Sequence, residues 1–80
     1  MNIQLIQGEF SAPDALELVT QMIQLKIKYH ESKIVTDTSE EDIKYRESRI
    51  KRLQKELAEL RETMILNNKN IQLEGTIKIG

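Results

Sequence analysis

Hydrophobic and polar positions follow different rhythms along this 80-residue chain. Residues 70–79, NIQLEGTIKI, alternate: Ile71, Leu73, Ile77 and Ile79 fall on one side with Gly75, and Asn70, Gln72, Glu74, Thr76 and Lys78 on the other. A period of two predicts a half-buried strand, because successive side chains of an extended chain point to opposite faces. Residues 1–10 carry a less regular version, in which Ile3, Leu5, Ile6 and Phe10 break strict alternation and Gly8 is the expected bulge. The tetrapeptide Asn-Ile-Gln-Leu stands at both 2–5 and 70–73, too short a match to indicate duplication.

Between the strands the rhythm becomes helical, twice. Ser11 is a good N-cap, Pro13 is tolerated in a first turn, and Asp14 completes a capping-box pattern, so a helix is predicted over 12–34. The segment 36–39, TDTS, is a turn in which Thr38 or Ser39 caps a second helix. Glu40, Glu41 and Asp42 then stand where the helix dipole favours negative charge. This second helix is predicted over 40–67 and has no internal Gly or Pro; Asn67, Asn68 and Asn70 are available to end it. At 1.5 Å per residue the helices are roughly 34 and 42 Å long. So short a connection makes them antiparallel, which brings the two terminal strands together. The expected fold is α+β, mostly α: a single domain, 1–80, of order β-α-α-β, with a long coiled-coil-like helical hairpin and a small antiparallel sheet.

The two helices differ in apolar circumference. Helix two carries Ile43, Ile50, Leu53, Leu57, Leu60 and Met64 in a heptad seam that Arg46 interrupts, a stripe suited to one helical neighbour. Helix one has two stripes, one of Leu18, Met22, Leu25 and Tyr29 and another of Leu16, Val19, Ile23, Ile27, His30 and Ile34. Together they span roughly 200° at 100° per residue, more than one partner helix covers. Lys26 and Lys33 separate them in the second half of the helix. The uncovered stripe is expected to meet a second copy, giving a two-fold dimer. The residues expected at the association interface are Leu18, Met22, Leu25, Tyr29, Leu53, Leu57 and Leu60.

Composition sharpens this expectation. With one Phe, two Tyr and no Trp, few large side chains anchor an interior, and the absence of Cys removes disulfides and thiolate metal sites. Small domains without such staples commonly rely on oligomerisation. No stretch approaches the roughly 18 apolar residues of a membrane span and no basic leader precedes the first strand, so a cytoplasmic protein with no membrane association is expected. The net charge of −1 offers no global attraction to nucleic acid.

Candidate chemistry is sparse. Helix two is basic in its first half and acidic in its second, and Lys44, Lys51, Arg52 and Lys55 form a possible phosphate-contacting patch whose binding would weaken steeply with salt. Glu47–Lys51, Arg52–Glu56 and Lys55–Glu59 are i,i+4 pairs that fit a solvated helix instead. A third reading is self-complementarity, with Lys51 or Lys55 near Glu59 or Glu62 of an antiparallel copy. His30, the single histidine, is expected to pack or hydrogen-bond rather than bind metal, and Asp37, Glu40, Glu41 and Asp42 lack the spacing of a calcium loop. No phosphate-cradling glycine motif or nucleophile set is present.

The order of elements resembles coiled-coil chaperone subunits only in outline, since their strands lie elsewhere in the chain. The expected function is a non-enzymatic interaction or oligomerisation module, a homodimer with no cofactor and no metal. The alternatives are a nucleic-acid accessory factor and a small subunit bound to a larger complex by strand addition.

Overall fold

Two serines start the two helices. Ser11 accepts from the Asp14 amide through its Oγ at 3.3 Å and from the Ala15 amide through its carbonyl at 2.8 Å. Ser39 repeats the arrangement with Asp42 (3.5 Å) and Ile43 (3.1 Å). The side-chain contacts satisfy amides that have no partner inside a helix, and the carbonyl contacts are the first bonds of each helical ladder. The computed structural model describes residues 1–36, 39–65 and 69–80, with β1 (Asn2–Phe10), α1 (Ala12–Thr36), α2 (Glu40–Ile65) and β2 (Ile71–Lys78). The β-α-α-β order is therefore as the sequence predicts.

The boundaries differ in instructive ways. α1 continues to Thr36, two residues past its predicted end, although Val35 and Thr36 are β-branched. In its last turn Thr36 Oγ1 donates to the Lys33 carbonyl (3.1 Å), one of the final carbonyls that a helix leaves without an internal partner, and one turn earlier Ser32 Oγ donates to the Tyr29 carbonyl (2.7 Å). Asp37 and Thr38 of the predicted turn, and Asn67 and Asn68 of the predicted helix end, lie outside the described residues.

The strands pair antiparallel as a two-stranded ribbon. From Ile6↔Gly75 to Phe10↔Ile71 the register is constant, and from Gln4↔Thr76 to Asn2↔Lys78 it is displaced by one, leaving Leu5 as the bulged residue. The bulge thus sits at Leu5 and not at Gly8. The extra residue is what allows Ile3 and Ile6, an odd number of positions apart, to share one face. Gly8 is needed for another reason: its φ of +144° is one that L side chains rarely adopt. Beyond β2, the Ile79 amide and the Met1 carbonyl, and the Met1 amine and the Ile79 carbonyl, each meet at 2.7 Å and close the ladder.

Packing is thin. The main tertiary contacts are β1 with β2 and α1 with α2, with a small contact of β2 on α1. The molecule measures 46 × 33 × 13 Å, a plate about one element thick. Among the described residues the buried apolar side chains are Ala12, Ala15, Leu53 and Leu57, joined by His30. The short alanines at the start of α1 admit close approach at the open end of the hairpin, while the two leucines of α2 fill its middle.

Candidate association surface

The seam of the hairpin is built by periodicity. Leu53 and Leu57 are buried, and Ile43, Ile50, Leu60 and Met64 are half-buried along the same side of α2. Leu16, Val19, Ile23, Ile27 and Ile34 of α1 are half-buried in turn. The two polar interruptions of these stripes meet each other. Arg46 Nη1 donates to His30 Nδ1 at 3.0 Å, so the neutral imidazole carries its proton on Nε2. The Arg46 guanidinium also lies 5.6 Å from the Tyr29 ring centroid and 5.9 Å from that of Tyr45, and Tyr29 is edge-on to His30. Burial, then the charges of Arg46, Arg49 and Lys26, hold the His30 pKa below its ordinary value of 6.5. A signal for this pair existed in the sequence: each residue stands eight positions from residue 38, the middle of the connection.

The ribbon has two unlike faces. Cross-strand partners lie on the same side, so Ile3, Ile6, Gly8 and Phe10 share a face with Ile77, Gly75, Leu73 and Ile71. The other face pairs Asn2 with Lys78, Gln4 with Thr76, Gln7 with Glu74 and Glu9 with Gln72, all polar. The apolar face is half-buried near the helices, at Phe10, Ile71 and Leu73, and opens toward its tip, where Ile3, Ile77 and Ile79 are exposed. No described element of the chain covers this end.

The residues predicted for association divide into groups. Leu53 and Leu57 are buried within the single chain and Leu60 is half-buried. Leu18 and Met22 are half-buried, whereas Leu25 and Tyr29 are exposed, at 70% and 53%. Tyr29 is nevertheless engaged within the chain, its ring near Arg46 and near Lys33, whose Nζ is 5.7 Å from the centroid. Leu18 shares a groove of about 280 Å³ with Phe10, Asp14, Glu17 and Gln21 at the junction of β1 and α1. This groove joins the ribbon's apolar face to the outer stripe of α1. Sequence reasoning missed the ribbon face as an association candidate because it treated the strands as cover for the helices.

Two members of the basic patch of α2 are engaged within the helix. Lys44 reaches Glu40 at 3.7 Å and Arg52 reaches Glu56 at 3.5 Å, both at exposed positions, so each pair contributes a few tenths of a kcal/mol. Lys51 and Lys55 are exposed, and the spacings Glu47–Lys51 and Lys55–Glu59 make no ion pair. A shallow groove of about 180 Å³ between the helices is lined by Lys26, Arg49, Arg52, Leu53 and Glu56. A larger one of about 470 Å³ is bounded by α1 alone, through Gln21, Leu25, Lys28 and Glu31 among others, so it has a single wall. Small-molecule sites depend on enclosure, which one wall does not provide. Among the described residues no three His, Asp or Glu side chains gather as metal ligands, and no helix is long and apolar enough to cross a membrane. Glu40, Glu41 and Asp42 are exposed in the first turn of α2, and Asp37 lies outside the described residues.

Fold and surface together define a helical hairpin that carries a two-stranded terminal ribbon, with an apolar face open at the ribbon tip. No family model matches the chain, and neither a curated protein nor a solved structure matches it.

Proposed function

We propose that this protein is a non-enzymatic association module that works as a homodimer, its hairpin packed as a short antiparallel coiled coil. The observation that carries the reading is surface area. The chain exposes 6437 Å², against about 5,000 Å² for a compact monomer of 9.3 kDa on the general mass–area relation. The excess, about 1,500 Å², exceeds the roughly 800 Å² that each partner contributes to a standard interface. Much of the exposed apolar surface lies along the ribbon face and the outer stripe of α1, including Ile77, Ile79 and Leu25. Exposed Lys51 and Lys55 on one half of α2, with Glu59 and Glu62 on the other, add charges complementary to an antiparallel copy.

The test is solution mass by light scattering across a wide concentration range. Twice the 9.3 kDa chain mass is expected. A well-folded species of single-chain mass at high concentration would remove the proposal. A second reading, strand addition by a different protein, is supported by the open outer edges of β1 and β2. It predicts that amides along one outer edge become protected from hydrogen exchange only when that partner is bound.

A further inference from the structure

Folding assembles a surface that neither helix carries alone. On α2, Tyr45, Arg49 and Arg52 stand at i, i+4 and i+7; on α1, Lys26, Tyr29 and Lys33 stand at i, i+3 and i+7. Each set therefore runs along one flank of its helix. The two flanks lie on the same side of the hairpin, because Lys26, Arg49 and Arg52 line one groove of about 180 Å³ with Leu53 and Glu56. Nearer the connection the Arg46 guanidinium lies 5.6 Å from the Tyr29 ring centroid and 5.9 Å from that of Tyr45, and both rings are exposed. Positive charge on this side is only partly offset. Arg52 is tied to Glu56 at 3.5 Å. Arg49 is half-buried and Lys26 exposed, and among the described residues neither enters an ion pair. Both act with Arg46 to hold the His30 pKa down, so they stand in one local field of positive sign. Half-burying a guanidinium close to a second cation costs free energy, which a bound anion would offset.

We propose that this side of the hairpin binds single-stranded nucleic acid, with Lys26, Arg49 and Arg52 on the phosphate backbone and bases stacked on Tyr29 and Tyr45. Clustered cations alone would take any polyanion. Exposed rings set among them add flat partners for bases, which acidic side chains lack. A duplex keeps its base faces inside the stack, so the single strand is selected. The track from Tyr45 to Arg52 covers about 10 Å of helix, the length of about three stacked nucleotides. Both flanks belong to one chain, and the surface does not depend on the homodimer reading. It is also distinct from the outer face of α2. Lys51 and Lys55 stand two residues before buried Leu53 and Leu57, about 200° around the helix, and so face away from the seam.

Fluorescence anisotropy with a short labelled oligothymidylate is the test. With three phosphate contacts, affinity is expected to fall about 20-fold between about 50 and 200 mM salt. Lys26→Gln/Arg49→Gln is expected to weaken binding at the lower salt and to reduce that fall to about threefold. Tyr45→Leu, at an exposed position, is expected to weaken binding about fivefold or more with the salt dependence unchanged, because a ring and not a charge is lost. An abasic strand of the same length is expected to bind more weakly than oligothymidylate; equal binding would show that the rings take no part and would overturn the proposal. Polyglutamate held as tightly as the oligonucleotide would overturn it in favour of an acidic protein partner. A loss in Lys51→Gln/Lys55→Gln as large as in Lys26→Gln/Arg49→Gln would overturn it in favour of the outer face of α2. No change in anisotropy at low salt would remove it altogether. Should Lys26→Gln/Arg49→Gln lose its helical circular dichroism, Tyr45→Leu and the abasic strand still decide.

Discussion

Replacing His30 by glutamine tests the polar layer of the hairpin through its protons. Glutamine is neutral and keeps an acceptor for Arg46, so His30→Gln removes the titration with little change in packing. The unfolded chain takes up its imidazole proton near the ordinary value of 6.5. The folded chain resists, because the site is covered (His30 is 9% exposed) and because protonation takes the Nδ1 lone pair from Arg46. It would also place a cation beside Arg46, Arg49 and Lys26. The folded value is therefore the lower one. Stability from this source is complete above pH 6.5 and is lost as pH falls through 6.5 toward the folded value, where the loss levels off. One proton sets the steepest slope at about 1.4 kcal/mol per pH unit. In a molecule only 13 Å thick, water is never far from the ring, and the descent is correspondingly short. The assay is urea unfolding at fixed protein concentration from pH 7.5 to 5.5, above the range where carboxylates titrate. The parent protein should lose stability relative to His30→Gln below about pH 6.5, and Arg46→Met should retain a weaker slope, since burial and two cations persist. Parallel curves for parent and His30→Gln across that window would refute the assignment of a covered, neutral imidazole.

Two further substitutions probe the thin core and the ribbon. Leu57→Ala, at a buried seam position, should cost about 2 kcal/mol, the low end for Leu→Ala because solvent reaches the vacated space easily. Thermal melts should then fall by roughly 10 °C, and a change under 2 °C would show that the seam does not hold the fold. Gly8→Ala forces a side chain into a φ of +144° and should cost about 1–3 kcal/mol. Gly75→Ala meets a single Ile6 methyl at 3.2 Å, which can yield, and should cost less. Thermal melts that reverse this order would contradict the assigned backbone geometry.

Much of the fold was legible as periodicity and punctuation. Ser11 and Ser39 start helices because a side-chain oxygen at that point satisfies amides that a helix leaves unpaired, a local effect independent of tertiary context. β2 was legible because Ile71, Leu73 and Ile77 alternate cleanly with polar residues. The irregular β1 was not, since the same set of apolar positions admits a bulge at Gly8 or at Leu5. Only its cross-strand partner decides, by requiring Ile3 and Ile6 to face the same way as Ile77 and Gly75. The end of α1 escaped because β-branched Val35 and Thr36 weaken a helix on propensity alone, whereas the Thr36 hydroxyl pairs with a last-turn carbonyl once the helix continues.

The sequence by itself determined the element order, the antiparallel hairpin and the presence of two polar breaks in otherwise apolar seams, because these follow from spacing along a single chain. Tertiary structure decided which residues meet. It brought His30 to Arg46, enclosed Leu53 and Leu57 within one chain, turned Leu25 to solvent, and set the ribbon beside the helices rather than over them. Periodicity reports which side of an element is apolar, and only the relative placement of elements determines whether that side is covered.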